Sequence, residues 1–336
     1  LLQGLLSNTQ IFGPDDVDDA PYVTEALKHT REKQKRRDVD AYDGDDPFVK
    51  SIINIFGFQP LDFQVNSWKT VQKLDSKRRG TNKSQRVIFS APTGFGKTES
   101  FLGPLYQLLR EGEQDMTILV YPRLALLQDQ LSRILEHVHT IRETSGDELS
   151  VGIWTGQTSY EIGDVESDFF ERSGSEQEFK LANCWCGDDE DENSFVYRGG
   201  RDGYSVVCES NDEHSFSDRE LILNRTDMRK GGHPNILLTT LESLELFGLK
   251  PNYDIISHAD SIVFDEIHLY TGLRGAHTAN IVDNIESVTD DPMLWVGSSA
   301  TIDDEERFAN KIFPSGGNLE AVSPGEPDFD TDHDDK

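Results

Sequence analysis

The sequence is short of several things, and each shortage excludes something. It holds three cysteines in 336 residues, too few for a disulfide framework, so a reducing cytoplasm is the expected compartment. No run approaches the roughly 18 apolar residues that cross a bilayer, and the start does not resemble a signal peptide. The chain opens on Leu1 rather than Met, which points to a piece of a longer polypeptide or a processed one. Basic residues are scarce: 32 Lys and Arg stand against 62 Asp and Glu, a formal net charge of −30. A protein that binds a polyanion normally shows the opposite balance. Either nucleic acid is no partner, or the acids, spread along the whole chain, are the solvated surface of a halophilic protein whose basic lining the total conceals. In molar salt the Debye length is about 3 Å, so bulk repulsion of a polyanion would matter little.

What is present starts with Ser90-Ala91-Pro92-Thr93-Gly94-Phe95-Gly96-Lys97-Thr98. An apolar run, Val87 to Phe89, precedes it, and a helical pattern through Phe101, Leu105, Leu108 and Leu109 follows. Strand, Gly-containing loop and helix start are the context a phosphate-binding loop needs. Backbone N–H groups and the positive end of the helix dipole converge there on an anion. Gly94 and Gly96 let the backbone approach, Lys97 reaches the outer phosphates, and the Thr98 hydroxyl can ligate Mg²⁺. Ala91 stands where the general pattern has its first Gly. Thr93, Phe95 and Glu99 complete the nucleotide-side residues.

Upstream, residues 1–47 read as a polar extension with a basic run from Arg31 to Arg37, either a mobile or partly helical segment or a DNA-contacting arm. Phe48, Ile52, Ile53 and Phe56 then fall at helical spacing, and Gly57 stops that helix. Gln64 follows. Its amide offers adenine a bidentate donor–acceptor pair, with Phe58 or Phe63 as a ring against the base.

Downstream, a strand over Thr117–Tyr121 ends in Pro122-Arg123, one over Val151–Trp154 in Thr155-Gly156, and one over Asn235–Thr239 in Thr240. In an open parallel sheet the carboxyl ends of strands form the ligand edge. Together Pro122, Arg123, Thr155, Gly156, Thr239 and Thr240 therefore look like a row of phosphodiester contacts. The strand Ser261–Phe264 runs into Asp265-Glu266-Ile267-His268. Asp265 suits a Mg²⁺ ligand, Glu266 a group that positions or activates the attacking water, and His268 a relay to the next strand tip. A last strand, Met293–Val296, leads into Gly297-Ser298-Ser299-Ala300-Thr301. Asp303 and Glu306 have capping-box spacing for the helix after it, and residues from 323 onward read as a disordered acidic end or linker.

These elements come in the order of the first RecA-like domain of superfamily 2 helicases, and the chain resembles that family over roughly residues 48–315. Leu269-Tyr270-Thr271-Gly272, Gly275-Ala276-His277 and Gly96-Lys97-Thr98-Glu99 look like the DExH helicases of the Lhr-like and DNA-repair or phage-defence groups. The resemblance implies an α/β fold: a three-layer RecA-like P-loop NTPase domain over 48–322 with a mostly parallel sheet. It implies ATP and Mg²⁺ as cofactors, Lys97, Asp265, Glu266 and His268 as catalytic residues, and Ser299, Ala300 and Thr301 as the coupling between nucleotide state and grip on nucleic acid. DNA is the implied partner, single-stranded or forked. The second RecA-like domain, with its arginine finger, has no counterpart before Lys336, so the expected chain binds ATP, hydrolyses it slowly and does not unwind duplex alone. A small-molecule kinase is disfavoured, because it needs neither Pro122-Arg123 nor Ser299-Ala300-Thr301. A non-catalytic scaffold with a relic nucleotide site is disfavoured by intact Lys97, Asp265 and Glu266.

Residues 157–234 stand apart as a polar insertion without an obvious core. It holds Cys184, Cys186 and Cys208, with His214 close behind. Three thiols and an imidazole can hold tetrahedral Zn²⁺, although Cys-x-Cys is tighter than the usual spacing. Reduced, unliganded cysteines are the other reading.

Overall fold

The computed structural model describes residues 44–173, 176–186, 193–200, 203–229, 232–248, 254–300, 302 and 304–324. Most of the N-terminal extension, Thr301, Asp303 and most of the acidic end lie outside the described residues. No helix among the described residues is long and apolar enough to cross a membrane.

Helix α1 (Pro47–Phe56) starts on an Asp46 side chain that accepts from the Phe48 N–H, with Pro at its first position. It ends at Gly57, whose φ of 68° suits glycine. Helix α2 (Asp62–Thr81) follows and leads to β1 (Gln85–Ser90), α3 (Lys97–Arg110), β2 (Met116–Tyr121), α4 (Leu124–Ser145) and β3 (Val151–Trp154). Later come β9 (Leu221–Ile222), α6 (Arg225–Arg229), β10 (Ile236–Thr240), α7 (Leu241–Gly248), β11 (Ala259–Phe264), α8 (Gly272–Val288), β12 (Leu294–Ser299), α9 (Glu305–Ile312) and β13 (Leu319–Val322). Eight strands form one sheet in the order β13-β1-β12-β11-β2-β10-β3-β9. Every pairing is parallel.

Alternation along each strand divides the apolar residues between two cores. Val87, Phe89, Leu119, Tyr121 and Val263 pack with α1 to α4 on one face. Ile88, Ile118, Val120, Ile262 and Phe264 pack with α7, α8 and α9 on the other. A parallel sheet is covered on both faces, which is why its strands read as continuous apolar runs. The three-layer α/β architecture is the one expected.

Three expectations need correction. Strand β12 runs through Ser299, so Gly297, Ser298 and Ser299 are strand residues rather than the turn after it. The cap of α9 is Asp304, whose carboxylate accepts from the Arg307 N–H at 3.1 Å, and not an Asp303–Glu306 box. The insertion also has a core. Helix α5 (Val165–Phe169) and strands β4 (Phe170–Ser173), β5 (Glu176–Asn183), β6 (Ser194–Gly200), β7 (Gly203–Cys208) and β8 (Ser215–Ser217) carry it, the strands forming an antiparallel sheet in that order. Phe169, Phe179, Phe195, Val206 and Phe216 are buried there. Antiparallel strands bury one side only, so charged residues alternate with these and mask the pattern.

One buried charge ties the layers together. The fully buried Asp75 carboxylate accepts from Arg78 Nε at 3.1 Å and Nη2 at 3.0 Å, from Gln114 Nε2 at 2.9 Å and from Arg79 Nε at 2.9 Å. Arg78 continues to Asp260 at 3.0 Å and to the Pro292 carbonyl at 2.9 Å, which clamps α2 to the starts of β2, β11 and β12. Removing one partner of such a set strands the others in a dry site. Asp75→Ala should lower unfolding stability by about 3–5 kcal/mol, read from urea denaturation; a shift under about 1 kcal/mol would show the cluster to be dispensable.

Candidate functional site

Because the strands are parallel, the ends of β1, β12, β11, β2, β10 and β3 meet at one edge. The loop over residues 91–96 leaves β1 there and enters α3 at Gly96, the N-cap. Gly94 (φ 86°) and Gly96 (φ 69°) take the left-handed conformation. A Cβ on Gly96 would push aside the Gln64 carboxamide, and the left-handed φ is what demands glycine there. The Lys97 ammonium donates to the Ala91 carbonyl at 3.0 Å and faces that of Pro92 at 3.5 Å. Phe95 is buried and anchors the loop to the core, whereas Thr93 is exposed at its tip and Thr98 half-buried in the first turn of α3.

Two expected nucleotide contacts are engaged elsewhere. Gln64 is buried; its Oε1 accepts from the Leu61 N–H at 2.8 Å and its Nε2 donates to the Gly96 carbonyl at 3.3 Å. The carboxamide thus braces the phosphate loop, and it would have to release those bonds to read adenine. Of the two rings offered to the base, Phe63 is buried and Phe58 is exposed. The buried Glu99 carboxylate pairs with Arg133 of α4, while its carbonyl accepts from Trp68 Nε1 at 2.9 Å. Arg133 was not foreseen, since 34 residues separate it from Glu99.

Asp265 and Glu266 follow β11 beside the loop. Burial, and next the Glu266 charge, push the Asp265 carboxyl up to about 6, against the Ser298 hydroxyl, the Glu266 N–H and the Lys97 charge. Lys97 and Asp265 therefore sense one another across the edge. Glu266 sits at φ 47°, and its N–H donates to Asp265 Oδ1 at 2.9 Å. The Ala300 N–H donates to His268 Nδ1 at 3.4 Å, and Glu266 Oε2 lies 3.2 Å from the same nitrogen. One nitrogen cannot accept from Ala300 and donate to Glu266 at once, so a proton on Nδ1 exchanges one contact for the other. That links the acid pair to the tip of β12.

Under-served polar atoms gather here: the Ser299 hydroxyl is buried without a hydrogen-bond partner, Glu266 Oε2 has only the His268 ring beside it, and the Ser298 hydroxyl only the Asp265 carboxyl. Such atoms are costly to a fold and mark places built for something else. A glycine-lined loop at a helix N-terminus fits phosphate, and the oxygens of Thr98 and Asp265 are the hard donors Mg²⁺ takes.

The nucleic-acid candidates occupy the other half of the edge. Arg123 is exposed at the N-cap of α4, and the Pro122 carbonyl accepts from Arg274 at 3.0 Å. Gly156 is exposed at the end of β3, while Thr155 is buried, its N–H donating to Thr158 Oγ1 at 2.7 Å. Thr239 points into the sheet and donates to the Trp154 carbonyl at 2.6 Å; Thr240, donating to Ser243 Oγ at 3.3 Å, stands at the rim. Arg123, Gly156 and Thr240 thus face the edge, and Thr155 and Thr239 support it. Of the residues expected to couple nucleotide state to grip, Ser299 ends β12 and Ala300 follows it, and Thr301 lies outside the described residues.

The insertion brings its four candidate ligands together. The ligand atoms of Cys184, Cys186, Cys208 and His214 lie within 4.8 Å of one another. Cys184 Sγ is 3.1 Å from His214 Nδ1, and Cys186 Sγ is 3.3 Å from Cys208 Sγ. Burial, with the neighbouring thiols, raises the Cys184 and Cys186 thiols, a tendency a bound cation reverses.

Comparison with known proteins agrees with this geometry. Residues 70–161 match the DEAD/DEAH box helicase family. The chain is 26% identical over 286 residues to the Druantia protein DruE of Escherichia coli, covering 67% of this chain and 16% of that one. Among solved structures, the DUF1998 helicase MrfA bound to DNA superposes with a TM-score of 0.51 at 19% identity, over 83% of this chain and 29% of MrfA. Mycobacterium smegmatis helicase Lhr, bound to ssDNA and AMP-PNP, gives 0.51 at 18%, over 83% of this chain and 28% of Lhr. The chain is thus similar to the DEAD/DEAH box helicase family over residues 70–161 and to MrfA and Lhr in fold, and it spans under a third of the length of DruE, MrfA and Lhr.

An acid held above its ordinary range costs stability at neutral pH. The folded-state pKa of about 6 exceeds the 3.8 of a free carboxyl, so this contribution is fully favourable below about 4 and is lost as pH rises through 6. Asp265→Asn should therefore unfold at higher urea than wild type at pH 7, by on the order of 2 kcal/mol. The gap should close towards pH 4; a gap independent of pH would show that the carboxyl is not the source.

Proposed function

We propose that this chain is the ATP-binding motor half, the first RecA-like domain, of a superfamily 2 DNA helicase or translocase. The observation that carries the proposal is the shared edge, with a phosphate-loop Lys and a strand-end acid pair at one half and exposed strand tips at the other. The motor spans 48–322, with 157–234 as a metal-stapled insertion. Its substrate is single-stranded or forked DNA, in keeping with MrfA bound to DNA and Lhr bound to ssDNA, and the reaction is hydrolysis of ATP at the γ-phosphate.

In this reading the loop N–H groups and Lys97 hold the β- and γ-phosphates, and Thr98 and Asp265 hold Mg²⁺. The ion, when bound, neutralises charge developing on the phosphate oxygens. Glu266 orients the attacking water and takes its proton. His268 couples that carboxylate to Ala300, and so reports the state of the γ-phosphate to Ser299, Ala300 and Thr301. Arg123, Gly156 and Thr240 grip the DNA backbone, which positions the strand without reading its sequence. An arginine finger, worth roughly 10³–10⁵ in rate, comes from a second RecA-like domain on the same or another polypeptide. The Cys184, Cys186, Cys208 and His214 set holds structural Zn²⁺: ideal tetrahedral thiolates lie about 3.8 Å apart, so ligation needs small adjustments.

ATP turnover by the 336-residue chain should be slow, stimulated by single-stranded DNA, and lost in Lys97→Ala. Glu266→Gln should cut turnover by about a hundredfold or more and leave ATP binding intact. Stimulation by a small molecule in place of DNA would overturn the motor assignment in favour of a kinase, and absence of nucleotide binding would favour a scaffold.

Metal analysis of purified protein should find about one zinc per chain, lost in Cys184→Ser. Zinc-free wild type would remove the metal from the account and leave the motor reading untouched.

A further inference from the structure

The row of strand tips does not stop at β3. The chain returns from the insertion as β9, which pairs with β3 in parallel, and its carboxyl end delivers Leu223-Asn224-Arg225 to the same edge. Arg225 donates through Nη2 to the carbonyls of Thr155 at 3.0 Å and Gly156 at 3.4 Å. Its guanidinium lies 4.8 Å from the centre of the Tyr160 ring and 5.7 Å from that of Trp154, and its Nε is buried without a hydrogen-bond partner. Tyr160 is 55% exposed, an aromatic face kept at the surface by a cation behind it.

Gly156, Tyr160 and Arg225 line one side of a cleft of about 560 Å³ that also takes in Lys180 of β5 and the acids Asp164 and Asp168. That volume falls in the range of roughly 300–1,000 Å³ typical of small-molecule sites. Lys180 is exposed and makes no ion pair among the described residues. The cleft thus holds what a nucleotide unit of a single strand requires: an exposed ring for base stacking, cations for the flanking phosphates, and carboxylates that repel phosphate but accept from base amino groups.

We propose that this cleft is a further single-stranded DNA subsite, in which Tyr160 stacks on a base while Lys180 and Arg225 bind the adjoining backbone. It rests on the motor reading above and extends its track by one strand, to about 14 Å beyond β2 at the usual strand spacing. The insertion thereby contributes directly to the grip on the substrate: one wall of the cleft is its own strand β5. In a chain of formal net charge −30, local cations of this kind are what a polyanion can find.

The test is fluorescence anisotropy of a labelled oligothymidylate with the 336-residue chain, alongside binding of a fluorescent ATP analogue as a check on the fold. Tyr160→Ala should weaken DNA binding by about tenfold, and Tyr160→Phe, which keeps the ring, should restore it. Lys180→Ala should flatten the dependence of log affinity on log salt by about 0.7, and none of the three should change nucleotide affinity. Wild-type DNA affinity in both alanine variants, with Arg123→Ala weakened, would overturn the subsite and leave the motor reading standing. Equal losses in Tyr160→Ala and Tyr160→Phe would overturn the stacking role. A wild-type chain that binds the nucleotide but no oligothymidylate would overturn subsite and DNA motor together.

Discussion

Everything the site can do depends on the parallel register of one sheet. Ser90 lies opposite Ser299, Phe264 opposite both Gly297 and Val120, and Thr240 opposite Tyr121. Residues that follow those positions are therefore brought to a common edge although they are scattered over more than two hundred positions of sequence. Parallel strands need crossover connections, and these supply the helix starts at Gly96 and Arg123 that point N–H groups at the same edge. The phosphate loop with its acid pair and the exposed strand tips are neighbours because β12, β11 and β2 are neighbours.

The treatment of charge differs sharply between scaffold and site. Asp75, buried at the opposite end of the sheet, has both oxygens occupied by guanidinium and amide donors. Asp265 is buried beside a second carboxylate, which pushes its pKa up to about 6, and the Ser299 hydroxyl at the same edge goes without a partner. A fold that satisfies one buried acid so fully and leaves another so poorly served is storing interaction capacity where a ligand can use it. The same contrast separates Gln64 from Arg123: one is consumed in bracing the loop, the other is exposed to the edge.

Much of this was legible in the sequence. Strands β1, β2, β3 and β11 are buried on both faces, so they read as apolar runs, and the residues that end them could be assigned to one edge before any coordinates. The four metal candidates could be grouped by chemistry alone. What could not be read has physical causes. Strand β9 has two residues and β13 four, too few for a period to show. The insertion's sheet hides Phe179 and Phe195 among outward-facing polar residues. The Glu99–Arg133 pair, the diversion of Gln64 and the approach of Arg225 to Tyr160 are tertiary contacts between distant positions, on which local pattern is silent.

The insertion leaves and rejoins the sheet at adjacent places: Ser159 bridges to Asn224, and β9 lies against β3. A loop whose two ends already touch places no demand on the sheet through its length, and can be lengthened or remodelled between those points without re-threading the sheet. Its internal sheet and metal candidates give the stretch a means of holding its own shape. That makes it a cartridge clipped to the parallel sheet at two adjacent points, and the place where this architecture can change shape while the edge beside it keeps its geometry.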